Sequence, residues 1–154
     1  MEAFKAHTGL VIPFNRSNID TDAIVPKQYL KMLEKTGFGE FLFDDERYLD
    51  PGDVEVPVSA RRKNTDFVLN RSPYDQGSIL LARANFGCGS SREHAVWALK
   101  NFGIRVVLAS SFGDIFYNNC FNNGLLPVIL DDAVIEELFS LADDSGALTL
   151  TVDL

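Results

Sequence analysis

The stretch Ser78-Ile79-Leu80-Leu81-Ala82-Arg83-Ala84-Asn85-Phe86-Gly87-Cys88-Gly89-Ser90-Ser91-Arg92-Glu93-His94 decides the fold. Its first half is a short apolar run of strand type. The residues that follow, Ala95, Val96, Ala98, Leu99 and Phe102, recur at helical spacing. Ile104-Arg105-Val106-Val107-Leu108-Ala109 then supplies a second buried-type strand, completing a strand–helix–strand unit for which a right-handed crossover is expected. The turn between strand and helix has two readings. Ser90 and Glu93 stand at capping-box spacing, in which both side chains satisfy orphan N–H groups of the first helical turn. Gly87 and Gly89 permit positive φ and close backbone approach, and the N–H groups of a helix start with Arg92 beside them suit an anion. Local chemistry leaves a plain cap and an anion-binding or catalytic turn both open.

Outward from this unit the pattern stays α/β. Downstream, Ser110 to Cys120 reads as a short helix with Ser111 and Asp114 as a second cap, stopped by Asn122-Asn123-Gly124. Leu125 to Leu130 form a strand, Asp131 to Ala142 a capped acidic helix, and Ala147 to Val152 a final alternating strand. Upstream, residues 4–14 read as an opening strand that ends near Pro13, with His7 in a structural role. Asn15 to Asp22 is a polar loop whose Asp20 and Asp22 suit turn formation before cation binding. From Pro26 to Lys35 the spacing of Tyr29, Leu30, Met32 and Leu33 predicts a short amphipathic helix starting at proline. Phe38, Phe41 and Phe43 among glycines mark a core or interface edge. Residues 50–77, rich in proline and glycine, read as a long surface excursion in which only Asp66 to Leu69 is regular.

Composition narrows the function classes. A chain of 154 residues is one domain by length, able to bury roughly 70% of its unfolded surface. The hydrophobic share of 46% and charged share of 23% are those of an ordinary globule, and no apolar run approaches a membrane span. The first residues form neither a signal peptide nor an Arg-rich presequence, so a cytoplasmic location is expected. Net charge −8 repels a phosphate backbone, and Arg61-Arg62-Lys63 is too short a basic cluster to reverse that; it reads as solvated loop. Nucleic acid and membrane are therefore not expected partners. Cys88 and Cys120 are too few for a disulfide framework or for the ligands of a zinc or iron–sulfur site, so no metal is assigned to this chain.

Gly87-x-Gly89-Ser90-Ser91-Arg92-Glu93-His94, with Gly124-Leu125-Leu126-Pro127 downstream, resembles the swivelling domain of the aconitase superfamily. Asn85 to His94 as a whole resembles, more closely, the small-subunit family of 3-isopropylmalate dehydratase, and Asn18-Ile19-Asp20-Thr21-Asp22-Ala23-Ile24-Val25-Pro26 resembles that family's second signature. The resemblance implies an α/β swivelling domain of β/β/α type, a mixed sheet flanked by helices, over residues 1–154 as a single domain without the C-terminal extension usual in the family. It implies a hydro-lyase of leucine biosynthesis, which moves a hydroxyl between adjacent carbons of a malate derivative through an alkene.

The same resemblance assigns roles residue by residue. Ser90 is the base that abstracts and returns the proton, its alkoxide supported by preorganised donors, and Asp22, not Asp20, belongs to the active site. Arg92 holds a substrate carboxylate, and the Ser91 and Arg92 amides support the Ser90 oxyanion. Leu30 and Met32 lie in the segment tied to substrate choice and point to an apolar group, while Lys31 argues for a basic surface. Gly87, Gly89, Glu93 and His94 support these residues from behind, and Cys88 is a packed thiol. Hydroxide removal needs a [4Fe-4S] cluster, which the resemblance puts on a large-subunit partner, so the small subunit is inactive alone.

Other classes fit less well. A serine hydrolase fails the G-x-S-x-G elbow, and a nucleotide site lacks both the third glycine of the dinucleotide fingerprint and a P-loop lysine. A sister hydro-lyase acting on methylmalate or citraconate, and a non-catalytic binding module, stay as alternatives.

Overall fold

The fold is given by a computed structural model that describes residues 5–31, 37–90 and 92–153. Five strands, β1 (Ala6–Pro13), β2 (Ile79–Leu81), β3 (Val106–Ala109), β4 (Leu126–Ile129) and β5 (Thr149–Asp153), form one sheet in the order β4-β3-β2-β1-β5. The first four run parallel and β5 closes the edge antiparallel to β1, with Leu80 opposite both Ile12 and Val107. Between them lie α1 (Thr21–Ile24), α2 (Asp44–Arg47), α3 (Glu93–Phe102), α4 (Asp114–Asn122) and α5 (Asp132–Ser145).

Strand alternation divides the core in two. Ile12, Leu80 and Val107 point to the side filled by α3, α4 and the phenylalanines of residues 38–43, whereas Val11, Ile79, Leu81, Val106 and Leu108 meet Ile135 and Phe139 of α5. Both faces of the parallel strands are thus covered, which is why β2 and β3 read as continuous apolar runs. Phe38, Phe41 and Phe43 are core, Tyr29 stacking on Phe41 with ring centroids 4.0 Å apart.

Several local expectations change. The capping box does not form. α3 starts at Glu93 with Arg92 as its N-cap and no side-chain capping bond. The reason is upstream: residues 86–88 lie hydrogen-bonded beside residues 19–21, and positive φ at Gly87 and Gly89 turns the chain before the helix can begin. The second proposed cap fails likewise, because Ser111 Oγ accepts from the Asn85 amide and α4 is capped by Gly113. The predicted helix from Pro26 is a 3-10 turn over Lys27–Tyr29; Met32 to Lys35 lie outside the described residues. Residues 50–77 contain three 3-10 turns with Leu69 fully buried, and Arg61 is not solvated. Its guanidinium makes two bonds to buried Asp44, of 2.6 and 3.0 Å, and donates to the Asp50 carbonyl. His7 is structural as read, its Nε2 lying 2.7 Å from Ser78 Oγ.

Candidate active site at the carboxyl ends of the parallel strands

Parallel sheets bring their connections together at the carboxyl ends of the strands, where ligands of open α/β folds bind. Here three loops leaving β1, β2 and β3 continue side by side past the sheet. The Asn18 amide donates to the Ala84 carbonyl, Gly87 to Ile19 and Thr21 to Cys88, at 2.7–2.9 Å, and Phe86 pairs with Phe112 of the third loop. This extension places residues 18–22 against residues 84–92.

Gly87 is held where only glycine fits. Its φ is +77°, and a Cβ there would overlap the Phe116 ring of α4. Gly89 has φ +96°, and a Cβ there would meet Thr21 Oγ1 at 3.6 Å and Asp20 Cβ at 3.7 Å, ordinary contacts, so its requirement is conformational alone. Between them these turns carry the chain to Ser90, which is exposed, and whose carbonyl accepts from the buried Thr21 hydroxyl at 2.9 Å. Because α3 is capped by Arg92, the Ser90 hydroxyl is not committed to a cap.

The two aspartates separate by role. Asp20 caps α1, accepting from the Ala23 amide at 2.7 Å, and Asp22 forms an ion pair with Arg92. Arg92 is 15% exposed and Asp22 64%, so the guanidinium is sheltered and its carboxylate partner faces water. The contact joins Arg92 Nη1 to Asp22 Oδ1, so the sheltered charge is balanced by a carboxylate at the surface. Beside Arg92 opens a cleft of about 580 Å³ lined by Leu30, Arg92, Glu93, His94, Trp97 and Asn119. Glu93 and His94 therefore border open space; His94 packs on Trp97 and Phe38, with centroids 4.5 and 5.4 Å apart. Ser91 and Met32 lie outside the described residues.

No group of three or more His, Cys, Asp or Glu side chains is arranged for a metal among the described residues. Cys120 is buried, which pushes its thiol well above the usual range and away from the thiolate a cluster ligand needs. The donor set of this chain does not fit an iron–sulfur cluster. Nor is any helix among the described residues long and apolar enough to cross a membrane.

Thr21, Trp97 and Asn119 escaped sequence reading. Trp97 was within reach, since it stands three residues after His94 and so shares its helix face. Thr21 and Asn119 carry no such signal.

A parallel sheet whose Gly-x-Gly-Ser turn meets an Asp-Thr-Asp loop at its carboxyl end is the architecture of an aconitase-type swivelling domain, and the family model for the aconitase C-terminal domain matches residues 1–133. The 3-isopropylmalate dehydratase small subunits of Marinobacter nauticus and Teredinibacter turnerae are 58% and 54% identical over 154 residues, covering all of this chain and 72% of each relative. A crystal structure of 3-isopropylmalate dehydratase from Methanocaldococcus jannaschii is similar at 30% identity with a TM-score of 0.64, covering 96% of this chain and 71% of that one. The chain belongs to the family of 3-isopropylmalate dehydratase small subunits.

Proposed function

We propose that this chain is the small subunit of a cytoplasmic two-chain hydro-lyase that interconverts 2-isopropylmalate and 3-isopropylmalate in leucine biosynthesis. Beyond family membership, the observation that carries the reading is Arg92: a sheltered guanidinium next to an open cleft and paired with one exposed carboxylate. Such a group is suited to bind a carboxylate of a small dianionic substrate through charge-assisted hydrogen bonds.

The roles follow from what each side chain is free to do. Arg92 orients the substrate by one carboxylate. Ser90, exposed and without a capping duty, takes a proton from the carbon beside a carboxylate and returns it to the alkene in the rehydration half. Serine is a weak base, so its alkoxide needs preorganised positive charge, and the Arg92 guanidinium together with backbone N–H groups before α3 supplies it. Asp22 holds Arg92 in place and sets the charge at the mouth of the cleft. Gly87 and Gly89 fix the turn that presents these groups. A large-subunit partner would hold the [4Fe-4S] cluster, which would supply the Lewis acidity for loss of hydroxide that no residue of this chain provides.

Reconstitution tests this reading. The chain is mixed with a cluster-bearing large subunit, association is followed by pull-down, and turnover of isopropylmalate is assayed for each chain alone and for the mixture. Association with turnover confined to the mixture is expected. Failure to associate would sink the proposal, and hydrolytic activity of this chain alone would favour a serine hydrolase.

A further inference from the structure

The turn that brings Leu30 to the cleft beside Arg92 is gripped by a stretch none of whose residues lines that cleft. Leu30 directly follows the 3-10 turn Lys27–Tyr29. Two residues of the long excursion, Gly52 and Arg61, close on this turn from outside. The Gln28 side-chain amide donates to the Gly52 carbonyl at 3.0 Å, and Arg61 Nη1 donates to the Tyr29 hydroxyl at 3.4 Å. A Cβ at Gly52 would stand 2.2 Å from the Tyr29 hydroxyl oxygen and 2.4 Å from Arg61 Cζ, so the approach leaves room for glycine only.

A three-residue 3-10 turn holds itself weakly, here through Tyr29 N–H to the Pro26 carbonyl at 3.2 Å and Leu30 N–H to the Lys27 carbonyl at 3.1 Å. Its place is set by what grips Tyr29, which is fully buried: the Phe41 ring stacked on its face, and Gly52 with Arg61 at its hydroxyl. Ser90 and Arg92 are held by a separate set of contacts, from the Thr21 hydroxyl to the Ser90 carbonyl and from Asp22 to Arg92. A shift of the Leu30 turn therefore reshapes the cleft without moving the groups assigned to proton transfer. We infer that Gln28, Gly52 and Arg61 are positioning residues for substrate binding, a clamp through which the excursion fixes where Leu30 stands in the cleft. The inference rests on the functional reading above and goes beyond it by giving residues 50–61 a part in a cleft they do not touch.

The test uses the reconstituted complex with isopropylmalate. Gln28→Ala and Gln28→Glu, the second nearly the same shape without the donor, should each raise KM about 3- to 10-fold, the scale of one lost hydrogen bond, with kcat kept within about 2-fold. Gly52→Ala, whose methyl group is driven into Tyr29, should raise KM at least as much. A merely structural role would shrink the folded fraction, lowering kcat and leaving KM in place. That pattern, or an unmoved KM in both Gln28 variants, overturns the inference. A second readout needs no turnover. In amide hydrogen exchange of the complex, residues 27–31 should exchange faster in Gln28→Ala than in wild type while residues 85–94 stay unchanged, and equal exchange at 27–31 would overturn the clamp. A wild-type complex without turnover would defeat the functional reading, and the exchange comparison would still decide whether the excursion fixes the turn.

Discussion

Ser90 sits at a point where two demands on one oxygen would have collided. Had its hydroxyl capped α3, the same lone pairs would have been engaged by backbone N–H groups and unavailable as a base. Arg92 takes the capping position instead, and Ser90 is left exposed at the head of the turn. Replacing Ser90 by Ala therefore removes chemistry without removing a cap. Ser90→Ala is expected to abolish turnover of the reconstituted complex while leaving both association and the thermal midpoint of the chain nearly unchanged; retained turnover removes Ser90 from the mechanism. At this scale the sequence was highly legible, because Gly87 to His94 is a contiguous run. The pairing of Asp22 with Arg92 was not, since the two stand seventy residues apart and only the loop ladder beyond β1 and β2 brings them together.

Between residue and domain, the segment that carries Leu30 into the cleft is anchored by a buried ion pair. Asp44 of α2 and Arg61 have side-chain exposures of 0% and 2%. Arg61 also stacks over Tyr48 at 4.1 Å and reaches the Tyr29 hydroxyl at 3.4 Å, while Gln28 donates to the Gly52 carbonyl at 3.0 Å. Burial, and then the charge of Asp44, push the Tyr29 hydroxyl well above its ordinary range, so it stays a neutral donor and acceptor within this cluster. Removing one partner strands the other without water. Arg61→Ala is expected to cost about 3–5 kcal/mol in chemical denaturation, and the double change Asp44→Leu with Arg61→Leu should cost clearly less, because an apolar pair leaves no uncompensated charge. Similar losses for single and double variants would show that packing, not charge, sets the cost. The strands, α3 and α5 were readable from periodicity. This anchor was not, because an arginine in a basic triplet carries the signature of a solvated loop and its partner lies seventeen residues earlier.

At the scale of the whole molecule, His7 and Asp50 contribute acid sensitivity in separate windows. Burial and then the Arg105 charge hold the His7 imidazole below its ordinary value, favouring the neutral ring that meets Ser78 in the fold. Near pH 6 the unfolded chain thus binds more protons at this site than the native one, and stability falls as pH drops through about 6.5, the ordinary histidine value. Hydrogen bonds from Arg62 hold the Asp50 carboxyl at about 2, so its contribution is present above the ordinary carboxylate range near 4 and is lost as pH falls toward 2. Denaturation midpoints measured from pH 8 to 2 should decline in both windows, and His7→Asn should flatten the upper one only. A wild-type profile flat between pH 7 and 5 contradicts the assignment to His7.

The same whole-molecule view orients the partner. The loops after β1, β2 and β3 form one edge of the domain, with Asp22, Gly89 and Ser90 exposed along it and Ile115 of α4 51% exposed nearby. α5 lies on the opposite side of the sheet from α3 and α4, its apolar face already spent on Ile135 and Phe139 against β2 and β3. A partner that completes a site around Ser90 and Arg92 must cover the loop edge and has no reason to touch α5. Amide hydrogen exchange of the chain with and without the large subunit reads this directly. Peptides spanning residues 18–31 and 85–94 should exchange more slowly in the complex, with those of α5 unaltered. Protection concentrated on α5 would place the partner on the wrong face for a shared active site.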